Sequence, residues 1–169
     1  DGSSDNNFDS VSDQTVSVTT TDDDAAGFTI TELSGTSVNE SGTTDTFTVV
    51  LDAEPASDVV LTITSSDTGE ATVTSTLTFT SANWDTPQTV TVTGVDDDII
   101  DGTVTSTLTI SIVDAASDND FDAVADQTVS VTTVNDDVAG FTIAETDSST
   151  SVGESGTTDT FTVVLDAEP

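Results

Sequence analysis

Cysteine, lysine, arginine, histidine, methionine and tyrosine are all missing from the chain. Without cysteine there is no disulfide framework, no zinc–thiolate site and no thiol nucleophile. Without a basic side chain nothing can neutralise phosphates or anionic lipid, so no nucleic acid partner is expected. No apolar run approaches the length of a membrane span, and no membrane insertion is expected either. A serine nucleophile would have no evident base, which leaves carboxylate-pair chemistry such as glycoside hydrolysis. That chemistry is normally housed in an aromatic-rich cleft, and aromatics make up 5% of this chain. The sequence therefore reads as a non-enzyme. It opens on neither Met nor a charged-then-apolar leader, as expected of an excerpt or a processed product.

Acid is what the chain has in abundance. Its 169 residues carry 33 Asp and Glu and a formal charge of −33, with metal cations as the obvious counter-charge. Asp outnumbers Glu by 26 to 7, a skew that suits turns and hard-cation ligation better than helix faces. Hydrophobic content is only 33%, yet Val, Ile, Leu and Phe recur in strict alternation, which predicts a folded chain.

The chain also repeats itself. Residues 27–55 return with few changes as 140–169, and DQTVSVTT occurs at 13–20 and again at 126–133. Phe8 maps to Phe121 and Phe28 to Phe141, a spacing of 113. This predicts one complete repeat over 27–139. Residues 1–26 would end a preceding copy with its last strand, and 140–169 would begin a following copy with its first two. Within the repeat, period-two segments centre on Phe28/Ile30, Phe47/Val49/Leu51, Val59/Leu61/Ile63, Leu77/Phe79, Val90/Val92, Val104/Leu108/Ile110/Ile112 and Val129/Val131. Seven strands in about 110 residues predict an all-β, antiparallel, immunoglobulin-like (Greek-key) sandwich, repeated in a tandem array. If strand directions alternate, the loops after the first, third, fifth and seventh strands share one pole.

The acids avoid the strands and collect at that pole. Glu40 lies in the first loop, Asp67 and Glu70 in the third, Asp96, Asp97, Asp98 and Asp101 in the fifth, and Asp136 and Asp137 follow the last strand. Asp22, Asp23 and Asp24 form the earlier copy of that final cluster. Crowded carboxylates repel, and a divalent ion removes the conflict. Calcium fits best, because it takes six to eight oxygen ligands in irregular geometry and no imidazole or thiolate is present. A weaker candidate lies before the seventh strand, at Asp118, Asp120, Asp122 and Asp126, with an earlier copy at Asp5, Asn7, Asp9 and Asp13. Its spacing is like the start of an EF-hand loop, but Ala123 replaces the required Gly and Val129 the bidentate Glu. The competing reading is an acidic solubilising coat, which would scatter Asp and Glu over exposed strand faces. Those faces carry Thr and Ser instead. Trp84, the one Trp, reads as a plug over the end of the sandwich or as a sugar-binding aromatic.

Several short motifs resemble those of Calx-beta repeats, the calcium-binding sandwich modules of sodium–calcium exchangers and large bacterial surface proteins. They are Phe28-x-x-x-Glu32, Val38-x-Glu40-x-Gly42, Asp67-Thr68-Gly69, Leu77-Thr78-Phe79 and Val92-Thr93-Gly94-Val95-Asp96-Asp97-Asp98 with Asp101-Gly102. The resemblance implies calcium held by Glu32 or Glu40 with Asp67, Asp96, Asp97, Asp98, Asp101, Asp136 and Asp137. It implies an extracellular or cell-surface location, bacterial in kind, and a structural or adhesive role in a stalk or filament. Partners would be neighbouring repeats or identical subunits; the alternative is a module recognising a surface glycan or protein. Thr103 and Val104 stand where the family continues with acids, which leaves the number of ions per repeat open.

Overall fold

The computed structural model describes residues 6–8 and 10–168. Nine strands build a two-sheet sandwich: β1 (Phe28–Thr31), β2 (Thr36–Asn39), β3 (Thr44–Leu51), β4 (Val59–Ser65), β5 (Ala71–Val73), β6 (Thr76–Phe79), β7 (Gln88–Gly94), β8 (Val104–Ile112) and β9 (Gln127–Val134). One sheet has the order β1-β3-β7-β5 and the other β2-β9-β8-β4-β6. Every pairing is antiparallel except that of β2 with β9, which is parallel.

Alternation does the sorting. Phe47, Val49 and Leu51 of β3, Val90 and Val92 of β7, and Leu108 and Ile110 of β8 point inward, while Thr fills most positions between them. Fully burying a side chain of this size is worth about 1.5–3 kcal/mol. Phe121, from a short 3-10 turn (Asn119–Phe121), is buried at one end, and Trp84 packs against the core half-buried.

Each of the seven expected segments forms a strand, and two more, β2 and β5, form where the first and third loops were expected, which raises the count to nine. The first strand is β1, and β2 follows it in the opposite sheet, with Gly35 at φ +81° in the crossing between them. The fourth is preceded by β5, which pairs with β7, before the chain crosses at Thr74 and Ser75 into β6, paired with β4. Three residues of β5 are too few to show a period in sequence.

The repeat recurs outside the sandwich. β10 (Phe141–Glu145) and β11 (Phe161–Leu165) pair in the register of β1 and β3, with Phe141 opposite Leu165 as Phe28 is opposite Leu51. Here the same side chains are bare: Phe141 is 63% exposed against 3% for Phe28, and Phe161 54% against 1% for Phe47. The earlier copy of β9 behaves likewise, since residues 11–26 belong to no strand and Val16 and Val18 are exposed. Asp5 and Asp9, half of the earlier copy of the Asp118 cluster, lie outside the described residues.

Candidate metal centre

Gly94, the last residue of β7, lies so close to β2 that a Cβ there would stand 2.0 Å from the Asn39 carbonyl oxygen. Only glycine permits that approach, and it brings the end of β2 against the loop that follows β7. Glu40 comes next in the chain. Its N–H donates to the Val134 carbonyl at 3.2 Å, extending the β2–β9 pairing by one residue, and its side chain is 0% exposed. Glu70, just before β5, is anchored by its carbonyl, which accepts from Val95 N–H (2.9 Å) and Thr133 Oγ1 (3.4 Å). Its side chain is 7% exposed.

Around these two buried acids sit three others. Single oxygens of Glu40, Glu70 and Asp101 lie within 4.8 Å of one another, as do single oxygens of Glu40, Asp97 and Asp137. Glu40 belongs to both groups. Its Oε2 accepts from the Asp136 N–H at 3.2 Å, whereas Oε1 is buried without a partner. Glu70 Oε2 and Asp137 Oδ2 are buried and unpartnered too. Asn135 ties the parts together. Its Nδ2 donates to the Ile99 carbonyl (2.7 Å) and Asp101 Oδ1 (3.2 Å), and its Oδ1 accepts from Asp137 N–H (2.8 Å).

The electrostatics are unfavourable as they stand. Burial pushes the Glu40 carboxyl above the usual carboxylate range, and Asp97, Asp101 and Asp137 push it the same way against one opposing hydrogen bond from Asp136. Burial also raises Glu70, reinforced by Asp101, Glu40, Asp67 and Asp97. Asp137 is raised by desolvation, then by Asp98, Asp136, Asp97 and Asp96. Two ionised carboxylates within 4.8 Å, such as Glu40 and Glu70, repel by roughly 3 kcal/mol at an effective dielectric near 20. No basic side chain exists to offset this. Carboxylates converging in threes, with a buried, unpartnered oxygen on each of Glu40, Glu70 and Asp137, are donors that suit a hard divalent cation.

Of the acids singled out in the sequence, the structure brings Glu40, Asp97, Asp101 and Asp137 together. Asp96, Asp98 and Asp136 are exposed at the rim. The Asp98 carbonyl accepts from Glu168 N–H, and Ile99 bridges to Glu168 in parallel, so this loop touches the turn after β11. Asp67 is exposed, and its Oδ1 accepts from Gly69 N–H at 3.0 Å to close a turn. Glu32 is exposed, takes a hydrogen bond from Thr36 Oγ1 (3.1 Å), and joins neither group. Glu70 was placed at the pole by its loop but left out of the ligand set. The signal was its position beside the buried start of β5, a strand the sequence did not reveal.

At the opposite pole Asp118 has a different task. It is buried; Oδ2 accepts from Ser57 N–H (2.9 Å) and Oδ1 from Asp120 N–H (3.1 Å), and these bonds hold its carboxyl below the usual range. Asp120, Asp122 and Asp126 are exposed. Asp22, Asp23 and Asp24 are exposed; Asp22 and Asp24 line a cavity of about 480 Å³ with Glu54, Asp118 and Asp120. None of these acids belongs to a converging group of three among the described residues.

No family model matches the chain, and no curated protein matches it. Among solved structures it is similar to the apo form of the Calx CBD1 domain, at 13% identity and a TM-score of 0.48 over 67% of this chain and 99% of that one. It is also similar to domains 1–6 of the surface layer protein SbsC, at 19% identity and a TM-score of 0.48 over 90% of this chain and 24% of that one. A third is the Escherichia coli chaperone DraB, at 8% identity and a TM-score of 0.46 over 68% of this chain and 59% of that one.

Proposed function

We propose that the chain is a calcium-binding structural repeat of an extracellular or cell-surface array, of the Calx-beta kind, with no catalytic role. The observation that carries this reading is the pair of buried, unpartnered oxygens on Glu40 and Glu70, in a protein with no cation of its own. Glu40, Glu70 and Asp101 would hold one ion, and Glu40, Asp97 and Asp137 a second, with Glu40 shared. The motif resemblance supports the same pole, since Glu40, Asp97 and Asp101 stand in its quoted segments. Strand order supports an immunoglobulin-like arrangement, in which one sheet carries the first, second and fifth expected strands and the other the third, fourth, sixth and seventh; the fourth thus sits on the opposite sheet from its place in a constant-type immunoglobulin domain. Near-identity of β10 and β11 with β1 and β3 supports repetition, and repetition suits a spacing or adhesive role in a stalk or filament.

Calorimetric titration of the chain with calcium tests this. Extracellular modules bind with Kd of about 10⁻⁴ to 10⁻³ M, and binding in that range is expected here, abolished or strongly weakened by Glu40→Gln. Absence of binding heat up to millimolar calcium, with the fold intact, refutes the reading.

A further inference from the structure

Asp–Gly occurs twice in the sequence, at residues 1–2 and 101–102, and the second pair is the one among the described residues. Asp101, Gly102 and Thr103 are all exposed. Gly102 has φ +82°, no heavy atom lies within 4 Å of the point a Cβ would occupy, and its N–H makes no hydrogen bond among the described residues. The Asp101 carboxylate is held at one oxygen only, by Asn135 Nδ2. A free backbone amide next to a loosely held aspartyl carboxyl, with no side chain to obstruct it, is the arrangement for ring closure.

We propose that Asp101–Gly102 is a site of spontaneous aspartate isomerisation, suppressed when a cation engages Asp101. The Gly102 nitrogen bonds to Cγ of the protonated Asp101 carboxyl, whose OH leaves as water with the amide proton, giving a five-membered imide. Water then opens the ring. Opening at the Asp101 main-chain carbonyl routes the backbone through the side chain as isoaspartate, with no net change in mass and no redox step. The product has an extra methylene in the backbone and a displaced carboxylate, so a ligand of the centre is lost. A bound cation opposes closure by holding that carboxylate away from the amide. This suppression rests on the calcium reading above, whereas the isomerisation does not.

The test incubates the full chain at neutral pH with calcium or with chelator and follows isoaspartate by peptide mapping. Endoproteinase Asp-N cuts before Asp but not before isoaspartate, so resistance at the Ile100–Asp101 bond reports the product. Calcium at ten times its Kd leaves roughly a tenth of sites empty, so conversion should be about tenfold slower than in chelator. Asp147–Ser148, exposed and outside both carboxylate groups, is the internal reference and should convert equally in both conditions. Gly102→Ala should slow conversion in chelator severalfold. An intact Asp101 in chelator after Asp147 has converted overturns the proposal. Equal rates with and without calcium overturn the suppression; if calcium also gives no binding heat, the calcium reading falls with it.

Discussion

Glu40 and Glu70 carry two carboxylates into the end of the core, and no side chain in the protein can neutralise either. The consequence is an inverted pH dependence for the metal-free protein. Glu40, Glu70 and Asp137 each have a folded pKa above the ordinary value, 4.5 for Glu and 3.8 for Asp. Their contribution to stability is therefore full below those values and is lost as pH rises through the folded pKa. Melting temperature in chelator should fall as pH is raised from 4.5, and Glu40→Gln should flatten the fall. A curve that rises throughout would contradict the geometry of the centre. Asp118 works in the opposite sense: its pKa is lowered, so its contribution is present above 3.8 and lost as pH falls through the folded value. Asp118→Ala should cost about 1–3 kcal/mol and leave the calcium response unchanged, as urea unfolding with and without calcium would show. The sequence ranked Asp118 below Asp97 as a ligand without revealing the physical difference between them. Two backbone N–H groups hold the buried Asp118 carboxylate, whereas Asp97 accepts one, from Ile99 at 2.8 Å, and converges with Glu40 and Asp137.

Among the elements, the junction of β2 with β7 decides whether a centre forms. Gly94→Ala would press a Cβ into the Asn39 carbonyl, costing about 1–3 kcal/mol and moving Glu40 away from Asp97 and Asp101. Calcium affinity should fall at least as markedly as stability, and calorimetry beside thermal unfolding would separate the two. Affinity unchanged in a destabilised variant would mean that Gly94 does not position Glu40. Long strands such as β3, β8 and β9 were legible because their buried and exposed residues alternate over several turns of the pleat. β2 and β5 were not. Each is short, and its sheet is set by a crossing (Gly35, Thr74 and Ser75) that leaves no period in the sequence. Because β5 was invisible, so was the burial of Glu70 beside it. Strand parity alone still placed the acidic loops at one end.

For the whole molecule, identical sequence adopts opposite exposure according to what covers it. Phe161, Val163 and Leu165 repeat Phe47, Val49 and Leu51, yet they are bare in the β10–β11 hairpin. A longer chain in which a copy of residues 56–139 follows this one should bury them, read as loss of hydrophobic-dye binding and as slowed amide exchange in 161–165. Persistent fast exchange there would argue against a tandem array. The contact of Glu168 with Asp98 places the acidic loop next to the turn that follows the β10–β11 hairpin. Calcium should therefore lengthen and straighten a multi-repeat particle in small-angle scattering, and equal dimensions with chelator would rule out an ionic junction. The most direct measurement is thermal unfolding followed by Trp84 fluorescence, which no Tyr obscures, in chelator, in calcium, and in sodium chloride of matched ionic strength. One site at ten times its Kd adds about 1.4 kcal/mol, a rise of a few degrees, and two sites proportionally more. The account expects that gain with calcium, little of it with sodium chloride, and none in Glu40→Gln. Equal stabilisation by both salts would mean that screening of a −33 charge is the whole effect, and that the acids form a coat and not a centre.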